Sequence, residues 1–149
     1  MRQITYNMQF KGHAAPVGGS SSVLKATTTA ASCTMTTVVG SEGVSSTLRP
    51  AAGGNALFES EVTITGETTF LESGTITFGE ARNRLRFTTV GQGYLGPSAD
   101  PQIKHGSVIW RVDSGEGQFA EASGLITSNF TINEAGEVTD NHFGVIFVK

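Results

Sequence analysis

The sequence predicts an all-β fold: a closed antiparallel barrel of about eight strands, wound as a meander. Three observations carry this. Apolar and polar residues alternate with period two in segment after segment, the mark of strands with one dry face. Gly-, Pro- and Ser-rich turn signals separate those segments at short intervals. Charged residues make up 15% of the chain, against ~25% in ordinary domains, while Gly contributes 19 of 149 residues and no long helix-forming run occurs. At 149 residues the chain is expected to be one domain, 1–149, long enough for a core without disulfide staples.

The elements follow in order. Ile4, Tyr6, Met8 and Phe10 alternate with Thr5, Asn7, Gln9 and Lys11, a strand over 3–11, and GHAAPVGGSSS (12–22) is a loop. ATTTAASCTMTTVV (26–39) is uncharged and rich in β-branched residues. It is expected to be a long strand buried on both faces, or on one face with a second subunit on the other. GSEG (40–43) turns the chain, VSSTLRP (44–50) is a short strand, and AAGGN (51–55) is a loop. Residues 57–72 alternate again, with Phe58, Val62 and Ile64 on one face and Glu59, Glu61 and Glu67 on the other. TITFGEARNRLRFTTV (75–90) makes two strands about a turn near GEARN, and 90–106 is a long loop. SVIWRV (107–112), residues 118–132 and VTDNHFGVIFVK (138–149) are the remaining strands, separated by turns at 113–117 and 133–137. A short helical turn is an alternative for 118–124. A meander of this kind closes because closure removes exposed sheet edges, and Gly lets coiled strands bend at the corners.

GEGQFAEASG (115–124) places Gly at positions that turn the chain, Phe119 where it plugs the core, and Ala122 and Gly124 where a neighbouring backbone needs room. A generic hairpin turn is the plainer alternative. The run from Trp110 to Gly124 is similar to a recurrent feature of allene oxide cyclase-type barrels, and dirigent proteins show a similar G-x-G-x-F-x-x-A-x-G run. With Gly74–Phe78 (GTITF), the chain resembles an uncharacterised bacterial family of small barrels classed beside that fold. The resemblance covers most of 57–132. It implies an eight-stranded, commonly oligomeric barrel with an interior cavity. It also implies that the cavity takes a partly apolar molecule, with cofactor-free isomerisation or cyclisation among the activities. The matching motifs are structural, so no catalytic residue is carried across.

Candidate ligand-binding residues come from the pattern of polar groups. Glu59 and Glu61 share a strand face, and paired carboxylates serve as acid and base when their environments differ. Arg84 and Arg86 share another face and suit an anionic ligand, with cross-strand pairing to the glutamates as the alternative. Tyr94 stands in a glycine-rich loop that suits a barrel mouth, and His105, at the end of the same loop, is either a surface histidine or a base at that mouth. Trp110 fills the core or floors a pocket. His142 alternates with Gly144 and Ile146 toward the interior. The histidines lack metal-ligand spacing, so neither metal nor cofactor is expected. Cys33, the only cysteine, reads as a small core residue.

The net charge of −3 argues against a nucleic-acid partner. Residues 1–58 carry +3 and residues 59–149 carry −6, charges that offset one another in a single sheet. No segment has the ~18 apolar residues of a membrane span, and no signal-peptide pattern is present, so a soluble, cytoplasmic protein is expected. Two functional expectations result. One is a barrel that binds a small, partly apolar molecule. The other is a non-catalytic homo-oligomeric module, dimer or trimer, assembled through the uncharged run 26–39.

Overall fold

Period-two alternation becomes strand along nearly the whole chain. The computed structural model describes residues 1–149 and is all-β, with a single 3-10 turn at Gly117–Phe119. The strands are β1 (Arg2–Pro16), β2 (Val23–Gly40), β3 (Gly43–Ile64), β4 (Thr69–Phe78), β5 (Arg84–Thr89), β6 (Gly93–Pro97), β7 (Ile103–Glu116), β8 (Ser123–Asn133) and β9 (Glu137–Val148). No helix is long and apolar enough to cross a membrane.

All pairings are antiparallel, and they run round a ring. β1 pairs with β2, β2 with β3 and β3 with β4; β7 pairs with β8, β8 with β9, and β9 returns to β1. Between β4 and β7 lie β5 at one end and β6 at the other. These two short strands follow one another as halves of one position, broken at residues 90–92, so nine strands make eight positions.

Several boundaries differ from those expected. The 12–22 loop shrinks to 17–22, because β1 continues through Gly12, which crosses against Thr27 and Thr28 of β2. Residues 44–64 form one strand rather than two. AAGGN is a bulge in it: Ala31 pairs with Asn55 and Cys33 with Pro50, so 51–54 bow outward opposite Ser32, whose Oγ donates to the Gly54 carbonyl at 2.6 Å. The run 57–72 is broken by a turn at 65–68. The long loop 90–106 contains β6 and the start of β7, and the turn at 113–117 is largely strand.

One end of the ring is filled by the GEGQFAEASG segment. Gly117 turns at φ +61°, the 3-10 turn follows, and Phe119 is buried with its ring 5.3 Å from that of Phe78, which in turn meets Tyr6 at 5.4 Å. The middle holds an aromatic cluster. Phe58 stacks on Phe87 at 5.4 Å and Trp110 lies 4.5 Å from Phe87, all fully buried. Burying each such ring contributes ~1.5–3 kcal/mol.

β2 and β3 outrun the ring. From Cys33↔Pro50 to Gly40↔Gly43 they pair only with each other, forming a hairpin arm in which residues 36–55 are exposed. The expected two-sided burial of 26–39 therefore does not occur. Ala26, Thr28 and Ala30 point inward, and the rest of the run belongs to the arm or its root.

Candidate functional site

The end of the ring opposite Phe119 is open. A narrow cavity of about 70 Å³ enters there among Leu24, Val62, Ile64, Phe70, Leu95 and Phe130. Strand alternation supplies this apolar wall, since each of these residues is at an inward position. Three polar residues also line the cavity: Thr28, Glu72 and Asp140. All three are buried.

Glu72 follows Phe70 at period two on β4. Its Oε2 accepts a hydrogen bond from Ser60 Oγ at 2.6 Å. The Thr89 hydroxyl accepts from the Glu72 backbone N–H at 2.8 Å and donates to its carbonyl at 2.7 Å, fixing the strand where β5 ends. Burial pushes the Glu72 carboxyl up to about 8, and the negative charge of Asp140 adds to the rise; the Ser60 hydrogen bond and the Trp110 indole N–H oppose it. The indole N–H acts here at a distance, because it falls outside hydrogen-bond geometry to any partner.

Asp140 is held by two side chains. Ser128 Oγ donates to Oδ1 at 2.6 Å, and His142 Nε2 lies 2.9 Å from Oδ2. His142 is fully buried, stacked on Phe10 with centroids 4.1 Å apart and edge-on to Trp110 at 5.0 Å. With the ring proton on Nε2 it orients Asp140, and its Nδ1 has no partner. The Thr28 hydroxyl in the cavity and the Tyr6 hydroxyl are also buried without partners. Tyr6 is driven above the usual phenol range by burial first and by Asp140 second. An apolar cavity with a neutral acid, a held carboxylate and an unsatisfied hydroxyl at its polar end can orient a molecule by its oxygen atoms and move a proton on it.

The candidates from sequence fall on both sides of the wall. Trp110 and His142 are interior, although neither reaches the cavity surface. Glu59 and Glu61 are exposed, because they alternate with inward Phe58, Ser60 and Val62. Arg86 is exposed and bonds Glu116 at 3.0 Å, not the glutamates of β3. Arg84 is half-buried and donates to Thr77 Oγ1 at 3.2 Å. Tyr94 and His105 lie on the outer surface, 6.2 Å apart ring to ring. Glu59, Glu61 and Arg86 thus stay on the outer face and Arg84 does not line the cavity; the carboxyls that line it are Glu72 and Asp140. Their signal was present in Phe70-x-Glu72 and Asp140-x-His142, inward parity on two strands. No three His, Cys, Asp or Glu side chains converge as a metal site. No protein-family model, curated protein or solved structure matches the chain.

Proposed function

We propose that this protein binds a small, largely apolar molecule in the open end of its strand ring and isomerises or cyclises it by proton transfer, without a cofactor. The observation that carries the proposal is the pair of buried carboxyls, Glu72 and Asp140, lining one apolar cavity. With its carboxyl pushed up to about 8, Glu72 is roughly 90% protonated at neutral pH and serves as the acid. Asp140, held by Ser128 and His142, serves as the base. Glu72 gives its proton to an oxygen of the bound molecule while Asp140 takes one from carbon, giving the enol; Asp140 then returns its proton to a different carbon and the enol O–H returns its proton to Glu72, so the isomerisation is proton-neutral and restores both groups. Thr28 offers its free hydroxyl to a second oxygen. The ring of eight strand positions and its interior cavity support the likeness to the allene oxide cyclase-type barrel, and the fold is proposed to be of that kind.

Native mass spectrometry of the protein purified gently from its own cells tests this. The expected result is extra mass that denaturation releases, and none in Leu95→Trp, which narrows the mouth. Wild-type protein at bare mass that also fails to take up small apolar ketones or epoxides overturns the binding proposal. Binding that survives in Glu72→Gln and Asp140→Asn with conversion undiminished overturns the proton-transfer step.

A further inference from the structure

The hairpin arm is amphipathic. Its register pairs Cys33 with Pro50, Met35 with Leu48, Thr37 with Ser46 and Val39 with Val44, and period two puts these eight on one face, apolar but for Thr37 and Ser46. The opposite face carries Thr34, Thr36, Ser45, Thr47 and Arg49, with Val38. At its root Cys33 Sγ reaches the Asn7 carbonyl at 3.6 Å and Met35 is half-buried, but the outer part of the face is uncovered: Val39 is 80% exposed, Val44 71% and Leu48 42%. Beyond the ring β2 and β3 have only each other, and a two-stranded hairpin alone is marginal in water. Yet its ladder runs unbroken from Cys33↔Pro50 to the two-residue turn at Ser41–Glu42.

A second uncovered apolar surface lies on the outside of β7, β8 and β9. Ile109 stands across from Thr127, which stands across from Phe143; Leu125 stands across from Val145; and Phe147 lies two residues further along β9. Leu125 is 52% exposed, Phe143 45% and Ile109 43%. Contiguous exposed apolar residues on one sheet face mark contact sites. β2 and β3 make their main contacts with β1, with β4 and with each other, and the arm's Val39 and Val44 and the stripe's Leu125 and Phe143 are all exposed, so arm and stripe do not cover one another within a chain.

We infer that the arm of one copy lays its Met35–Val39–Val44–Leu48 face across the Ile109–Leu125–Phe143 stripe of a second copy. Three features favour another copy over a different partner. Each chain carries both surfaces, so exchange leaves neither uncovered and closes the assembly. From Thr34 to Gly54 the arm has only two charged residues, Glu42 and Arg49, the charge depletion of an interface centre. Exchange also makes each copy contribute its arm face and its stripe together, which brings the contact toward the ~20–30 residues a side that stable interfaces use. This goes beyond the cavity reading and does not rest on it.

Sedimentation velocity of the full chain at micromolar concentration tests it. Wild type is expected as a dimer or larger closed oligomer. Val39→Glu/Val44→Glu in the arm and Leu125→Glu/Phe143→Glu on the stripe should each give monomer with wild-type circular dichroism, whereas Thr36→Glu/Thr47→Glu on the polar arm face should not. A wild-type monomer overturns the inference. So does an oligomer that the arm variant dissociates and the stripe variant leaves intact, which means arm packs on arm. Should the variants misfold, a photo-crosslinking p-benzoylphenylalanine at position 39 decides: linkage to the 125–147 segment of another copy supports the contact, and linkage elsewhere or none overturns it.

Discussion

Glu72 on β4 and Asp140 on β9 stand four positions apart in either direction round the ring of eight, so their carboxyls enter the cavity from opposite walls. Only inward parity on two strands far apart in sequence brings them together. Their environments differ: Glu72 has one hydroxyl donor and an apolar surround, and Asp140 has a hydroxyl and an imidazole. Two carboxyls of unlike environment are what separates an acid from a base.

The first prediction concerns stability against pH. Glu72 moves from 4.5 to about 8 on folding, so between those values the folded chain holds a proton that the unfolded chain has released. Stability is therefore fullest below about 4.5 as far as this group is concerned, falls as pH rises through the window, and is lowest above about 8. Glu72→Gln, neutral at every pH, should remove this component. Urea unfolding of both proteins at several pH values should show the variant gaining on wild type as pH rises, by several kcal/mol at the alkaline end. A constant difference across pH overturns the assignment.

A second prediction couples the two acids. Asp140's charge is the second of the causes that raise the Glu72 carboxyl, after burial, and is smaller than the opposing Ser60 hydrogen bond. Asp140→Asn should therefore lower the Glu72 carboxyl from about 8 while leaving it above 4.5, because burial remains. Carbon-13 NMR of the labelled carboxyl reads this directly. An unchanged midpoint would mean that burial alone sets it.

The fold was legible because period two and turn chemistry are local. The ends of strands at 40–43 and 79–83 and the plug at Phe119 could be read from a few residues each. Bulges were harder. At AAGGN, four residues bow out without ending the strand, and composition alone cannot separate a bulge from a loop. The site was less legible for a related reason. Counted as one strand, 57–72 already puts Glu72 on the even-numbered face of Phe58, Val62 and Ile64, but only the turn at 65–68 folds β4 back beside β3 and brings Glu72 to Ser60. Glu59 and Glu61 drew attention as a pair, yet charged residues clustered on one face usually mark the solvated side. The informative acids were the isolated ones, each set in an otherwise apolar inward series.

A third prediction tests the plug. Phe119 is buried beside Phe78 at the closed end, held by a turn that Gly117 begins at φ +61°. Phe119→Ala removes a packed ring, and should cost ~3–5 kcal/mol in chemical denaturation. Phe119→Leu keeps most of the apolar volume and should cost less than half as much. Equal losses would mean that the turn, rather than the ring, is what the residue supplies.

The last prediction separates glycines that turn from glycines that let strands approach. Gly19 has φ +76° and open space where a Cβ would stand, so Gly19→Ala meets only backbone strain, ~1 kcal/mol. A Cβ at Gly74 would strike the Glu59 carbonyl oxygen and the Ser60 Cα, where β4 crosses β3 two residue pairs from Glu72. Backbone cannot yield as a flexible side chain does, so Gly74→Ala should cost more, ~2–3 kcal/mol or beyond. Because Ser60 donates to Glu72, pushing β3 and β4 apart there should also stretch the 2.6 Å Ser60–Glu72 bond. That bond lowers the carboxyl's midpoint, so its loss should raise it further above 8. Thermal unfolding measures the first effect and carboxyl NMR the second. A Gly74→Ala protein as stable as Gly19→Ala would mean that the strands part without cost, and the close crossing would then be no constraint on the site.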